Sequence, residues 1–454
     1  MSLEQLPHEL QLNVFKHLID DHSALQTFAH ASPHLHSCAL EVLNASRILD
    51  LSAGYTDYIE DVLENLHQLA DNSTTADLKA DPKGYWDTIS DNVVLQASRY
   101  ETLKVCFEDR EGATRRSPIS RRNMFKFESV MSRLSNKSRY NTDTWRHRFS
   151  TRLADASLRL LLHTMRHITT LELGGSLNVL PWDLSGSDML EMLRHLKLYA
   201  ITNSKLSKLC CCLISERNLI TLEFSDMSIT PKFLQHFSFS NQLSITSLRL
   251  TECWGSVTAI TRMIKACANL ETFEYALGTS HWTTELTHFS YHHLFQLLRQ
   301  LPPRALKHLT IHSSGVVLKD YQCNHVGSLV RFLVLESLTL DWKLVAPHQL
   351  MCRAQYAESL ELDAFDILSS LAPSLQALTL HECEEVSVMA TLSQLAESME
   401  QNNILPNLRS VDVTIVLEGS ITVSKRKRRQ QKELRNNFRS LGVKLRLKRV
   451  AQSG

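Results

Sequence analysis

Thr170-Leu171-Glu172-Leu173, His195-Leu196-Lys197-Leu198, Thr221-Leu222-Glu223-Phe224, Ser247-Leu248-Arg249-Leu250 and Thr272-Phe273-Glu274-Tyr275 are five copies of one pattern. Their first apolar positions, 171, 196, 222, 248 and 273, follow one another at steps of 25, 26, 26 and 25. A fixed step of about 20–29 residues around an L-x-L core marks a repeat built from one strand and one return segment. One such unit cannot bury its apolar side alone, so it stacks on its neighbours and forms an extended surface. The pattern therefore points to recognition ahead of catalysis.

Weaker copies follow at 306–311, 335–340, 375–380 and 408–413, with anchors at Leu309, Leu338, Leu378 and Val411 and steps of 36, 29, 40 and 33. Ile48–Leu51 and Thr102–Val105 read as the first strands, and Gly442–Leu447 as the last. Between strands the period becomes helical: Leu206, Leu209, Cys210 and Leu213 share one face, as do Val257, Ile260, Ile264 and Cys267. The expected fold is thus α/β, a leucine-rich-repeat solenoid with parallel strands on the concave face and helices outside. Leu248-Arg249-Leu250-Thr251-Glu252-Cys253 and Leu378-Thr379-Leu380-His381-Glu382-Cys383 resemble the cysteine-containing subfamily of these repeats, in which a small buried thiol fills the turn out of the strand.

Side chains alternate along a strand, so Leu171 and Leu173 point inward and their neighbours outward. The outward rows predict the substrate-binding positions Glu172, Lys197, Tyr199, Glu223, Arg249, Glu274, His312 and His381, with Trp254 and Trp342 close by. Aromatic residues carry a large share of interface energy, which favours Tyr199, Trp254 and Trp342.

The 454 residues carry a net charge of +1, with 43% hydrophobic and 21% charged residues, an ordinary balance for a chain with a large core. The charge is uneven. Residues 109–152 hold 12 Lys/Arg against 4 Asp/Glu, and residues 421–454 hold 12 against 1. The remainder is acidic. No leader with a basic start and apolar centre is visible, and no apolar stretch approaches a membrane span, so a cytoplasmic or nuclear protein with no membrane partner is expected. The ten cysteines lack framework spacing and read as reduced, mostly buried thiols.

The first 45 residues read as a separate module of three short helices. Leu10, Val14, Phe15 and Leu18 lie on one helical face behind Pro7, a second helix carries Leu25 and Phe28, and a third begins at Ser32-Pro33. So small a module buries too little surface to be comfortable alone, which calls for a partner. Leu6, Pro7, Glu9, Leu10, Val14, Phe15 and Leu18 resemble, in order, the opening of the F-box motif, and Leu25, Phe28, Ala31 and Ser32 its second half. After that half the family often has a basic residue and an aromatic, where this chain has Pro33, His34 and Leu35. The resemblance covers about a tenth of the chain. It implies that Leu6, Pro7, Leu10, Val14, Phe15, Leu18, Leu25 and Phe28 bind a Skp-family adaptor and, through it, a cullin. The chain would then be the substrate-recognition subunit of an SCF-type cullin-RING E3 ubiquitin ligase, holding a target protein on its repeats for degradation. A repeat scaffold or regulator without ligase coupling is the alternative, and an activator of a small GTPase a third.

The expected domains are 1–45, the F-box module; 46–107, a helical bridge with the first strands; 108–150, a mobile basic insertion; and 151–454, the solenoid with a basic capping helix and strand. Signals for chemistry are sparse. His30 and His34 have a spacing known from metal sites, but straddle a predicted helix break with no thiolate considered near, and so read as surface or packing residues. Cys210-Cys211-Cys212 is adjacent and not C-x-x-C. Phosphate-loop, dinucleotide and nucleophile-elbow motifs are absent from the sequence. No enzyme, cofactor, metal, small-molecule substrate or nucleic acid is therefore expected. Lys425–Arg429 reads either as a nuclear import signal or as the wet side of an outer helix whose buried side is Leu434, Phe438 and Leu441; the helix is favoured.

Overall fold

The computed structural model describes residues 6–17, 32, 34–35, 38, 49–50, 102–107, 162, 168–175, 190–200, 213–214, 218–231, 234, 243–277, 291–302, 305–312, 329–345, 370–417 and 425–451. The bridge at 52–100, the insertion at 108–150, the Cys210–Cys212 run and the adaptor candidates Leu18, Leu25 and Phe28 lie outside them. The chain divides into two units, Met1–Leu219 and Ile220–Gly454. The division falls inside the 151–454 stretch, and nothing in the anchor spacing marks it.

The first unit holds helix α1 (His8–His17) and strands β1 (Leu49–Asp50), β2 (Thr102–Phe107), β3 (Thr170–Gly175) and β4 (His195–Tyr199). The strands are parallel and pair in chain order, and their anchors Leu49, Leu103, Leu171 and Leu196 lie in register. Leu103, Leu171, Leu173, Leu196 and Leu198 are buried. Each such side chain withdrawn from water contributes about 1.5–3 kcal/mol, which fixes the register, since a slip by one residue would turn the leucines out.

The second unit contains β5 (Thr221–Ser225), β6 (Ser228–Ile229), β7 (Ser247–Gly255), α2 (Val257–Ala266), β8 (Thr272–Leu277), α3 (Tyr291–Leu298) and β9 (His308–His312). There follow β10 (Ser337–Asp341), α4 (Trp342–Val345), β11 (Ala377–Cys383), α5 (Glu385–Asn402), β12 (Ser410–Leu417), α6 (Lys425–Ser440) and β13 (Lys444–Ala451). Its main sheet is parallel, with anchors Leu222, Leu248, Phe273, Leu309, Leu338, Leu378, Val411 and Leu445 side by side. This is an α/β arrangement compatible with a solenoid, and the strand positions are those expected from the leucines.

Two backbone devices recur with the repeat. A carbonyl two residues before an anchor accepts two N–H groups of the next repeat: Thr246 O from Glu271 and Thr272, Glu271 O from Lys307 and His308, Lys307 O from Glu336 and Ser337. Thr169 O does the same for Arg194 and His195 in the first unit. Four residues after an anchor stands a left-handed residue that is not glycine: Ala200 (φ 50°), Asp226 (φ 50°), Glu252 (φ 53°) and Glu382 (φ 52°). Each costs about 1 kcal/mol of backbone strain. At the last three the turn delivers the following side chain, Met227, Cys253 or Cys383, into the core. The Cys253 thiol donates to Phe224 O on the neighbouring strand at 3.2 Å.

The helices obey ordinary end rules. Ser256 caps α2 by accepting the Ala259 N–H at 3.1 Å, and Ala259, Ile260, Met263, Ile264 and Cys267 are buried. In α6, Leu434 and Phe438 are buried while Arg428, Arg429, Lys432, Arg435 and Arg439 are exposed, as the outer-helix reading expects. Val443 N–H bonds Phe438 O and Gly442 N–H bonds Arg439 O, with Gly442 at φ 76°, the αL closure that glycine suits. Glu385, at the start of α5, receives Lys427 at 2.6 Å, Gln431 at 3.3 Å and Arg449 at 2.5 Å, tying α5, α6 and β13 together. Among the described residues no helix is long and apolar enough to cross a membrane.

Candidate functional site

The exposed face of the sheet begins with the side chains between the buried leucines. In the first unit Lys104, Glu172 and Lys197 are register partners, alternating in sign across three strands. In the second, Glu223, Arg249 and Glu274 alternate in the same way, and Arg249 reaches Glu274 at 3.7 Å. Asp412 and Arg446 close the far end at 3.4 Å. Opposite charges directly across strands support the pairing of the sheet. Most of the charged positions expected to meet a substrate thus have a lateral partner within the sheet.

Between the charged ends the same row is neutral. Thr310, Thr339 and Thr379 stand in register on β9, β10 and β11. Beside them His312 Nδ1 lies 3.1 Å from an oxygen of Asp341, and the His381 ring meets His312 edge-on with centroids 5.0 Å apart. Asp341 is buried, with its side chain only 3% exposed. Its hydrogen bond raises the His312 pKa above the usual 6.5, against the opposing pull of burial. Burial first, and His312 second, lower that of His381. Two imidazoles in contact are therefore driven apart in proton affinity. The arrangement offers hydroxyls, a donor held by a buried acid, and a neutral imidazole face, a set suited to hydrogen-bonding a polypeptide.

The aromatic candidates separate. Tyr199 lies over Gly174, its register partner, so closely that a Cβ there would come within 2.1 Å of the ring. Trp342 is corrected: it is 4% exposed at the start of α4, where the chain turns inward directly after β10, and cannot present its ring. Trp254 stands beyond the left-handed turn at Glu252, in the separate β6–β7 ladder beside Ser228, off the exposed row. The three buried thiols of the second unit, Cys253, Cys267 and Cys383, are spectators. Burial pushes Cys253 and Cys267 up to about 12 and raises Cys383 as well.

At the N-terminus, the Pro7 carbonyl accepts the Leu10 and Gln11 N–H groups and opens α1. Leu10 is 49% exposed, Leu6, Leu12 and Val14 are half-buried, and Phe15 is wholly buried. The single apolar face expected of this helix is therefore divided. Phe15 packs inside the chain, a correction to its reading as an adaptor contact, and Leu10 faces out. Gln11, which no motif singled out, is buried; its Nε2 donates to Leu6 O at 2.9 Å and its Oε1 accepts from His34 Nε2 at 2.9 Å and Cys38 Sγ at 3.3 Å. His34 thus does have a thiol nearby, four residues on, contrary to the sequence reading. The signal His34-x-x-x-Cys38 was present in the chain.

Thr310, Thr339 and Thr379 stand where strand alternation puts them, in the outward row; the burial of Asp341 escaped sequence reasoning because the same alternation assigns that position outward. The chain matches no protein-family model, and no curated protein matches it.

Proposed function

We propose that the chain is a substrate-recognition subunit of an SCF-type cullin-RING ubiquitin ligase, working in the cytoplasm or nucleus. Residues 1–45 bind a Skp-family adaptor, with Pro7 and Leu10 as the outward contacts, and the exposed sheet rows hold a target protein. The transfer chemistry belongs to other subunits, so the chain itself is not an enzyme and needs no catalytic cofactor. The observation that carries the recognition half is the stack of parallel strands sharing one register, with a hydrogen-bonding centre at Thr310, Thr339, Thr379, His312 and His381. The ligase half rests on the F-box resemblance of residues 6–18 and on the exposure of Leu10. Co-purification tests it: a Skp-family adaptor should travel with the full chain and be lost when residues 1–20 are deleted.

The burial of Phe15 favours a second reading, since it withdraws one of the motif's apolar positions from any partner. In that reading the protein is a repeat scaffold with no ligase coupling, and it would retain its target while ignoring the adaptor.

A further inference from the structure

We propose that His8, His34 and Cys38 form a divalent-metal site, with zinc(II) as the ion. One ligand atom from each of the three lies within 4.8 Å of the others. Cys38 Sγ and His8 Nδ1 are 3.6 Å apart. Zinc bonds of about 2.3 Å to sulfur and 2.0–2.1 Å to nitrogen at a tetrahedral angle require an S···N edge of about 3.6 Å. The His8 and His34 rings face one another at a 46° tilt with centroids 6.2 Å apart, close enough for a nitrogen of each to reach a common centre.

The surroundings favour an ion. The Gln11 amide is buried, and its nitrogen is committed to Leu6 O, which turns its oxygen toward His34 Nε2 and Cys38 Sγ. That oxygen, 2.9 Å from His34 Nε2 and 3.3 Å from Cys38 Sγ, would serve as a fourth, hard donor beside one thiolate and two imidazoles. On binding, the Cys38 S–H bond gives way to a sulfur–zinc bond and the proton passes to solvent, while the His34 ring proton moves from Nε2 to Nδ1, freeing the Nε2 lone pair and Gln11 Oε1 for the cation. Nitrogen and sulfur donors together select zinc over magnesium or calcium, which take oxygen.

The ion would join the first residue of α1 to the segment at 34–38. A module of so few residues gains folding energy from such a staple, because the unfolded chain has no preformed site. The site stands whether or not residues 1–45 dock an adaptor.

Cobalt(II) replaces zinc and reports its ligands by colour. The full chain, stripped with a chelator, is titrated with cobalt(II) and then with zinc(II). The expected result is one equivalent of four-coordinate cobalt with a thiolate-to-metal charge-transfer band, displaced by zinc. Cys38→Ser should abolish that band. His34→Ala, at an exposed position, should weaken binding by about tenfold or more. His308→Ala, an exposed histidine of the second unit, should change nothing. A titration without the band, or a band that survives both Cys38→Ser and His34→Ala, overturns the proposal.

Discussion

Neighbouring residues on one strand have opposite fates, and that contrast is the most direct test of the register. Leu222 is 2% exposed and stacked between strands, while Glu223 next to it stands on the outer row beside Arg249. Leu222→Asp should cost about 3 kcal/mol or more, as an unpaired buried carboxylate does, whereas Glu223→Lys should cost no more than about 1 kcal/mol. Thermal melting of the two variants checks this. A second residue-scale prediction concerns His312. Its pKa is raised in the folded chain, so the stabilisation it supplies is present below its ordinary value of 6.5 and fades as pH rises through the folded value. His381, lowered, acts in the opposite sense: its contribution is lost as pH falls through 6.5 toward the folded value. In the Asp341→Asn variant the His312 titration followed by NMR should move to lower pH. The leucine anchors were legible because burial imposes a period. Asp341 was not, because strand alternation assigns it outward and only the turn into α4 buries it.

Elements follow the same division. Strand positions could be read from the chain since each is held by its own apolar residues. The left-handed turns at Ala200, Asp226, Glu252 and Glu382 could not, because none of the four is glycine or asparagine and the conformation is imposed by the packing after them. The bifurcated backbone bonds at the strand starts leave no side-chain signature at all. The basic run shows an intermediate case. Its helix and buried face were legible, but the anchoring of Lys427 on Glu385 was not, since the partner lies 42 residues away. Burial alone would raise the Glu385 pKa; donors from Lys427 and Arg449 outweigh it, and the net shift is downward. A depressed carboxylate stabilises the fold above its unfolded value and loses that contribution as pH falls through the folded one, so the C-terminal elements should loosen in acid below about 4.5. Glu385→Gln should lower stability by about 2 kcal/mol at neutral pH and remove this acid dependence. Neutralising Arg428 and Arg429, which are exposed, should leave denaturant unfolding within about half a kcal/mol of the parent.

At the scale of the molecule, the proposed function divides the work between the repeats, which would hold a target, and the N-terminal helix, which would join a larger assembly. The lateral pairing of charges on the sheet explains why the net charge of the outer row says little about a target. The threonine row with its two histidines is where contact energy should concentrate. In the proposed function, ligase coupling rests on an apolar side chain, Leu10, at the surface of a helix whose Phe15 is already buried. It is tested most directly by titrating a purified Skp-family adaptor into the full chain and into its Leu10→Ala variant by calorimetry. A complex with the parent is expected, weakened in the variant by about 2 kcal/mol or roughly 30-fold, with the melting temperature unchanged. No heat of binding with the parent, or equal affinity in the two, would contradict it.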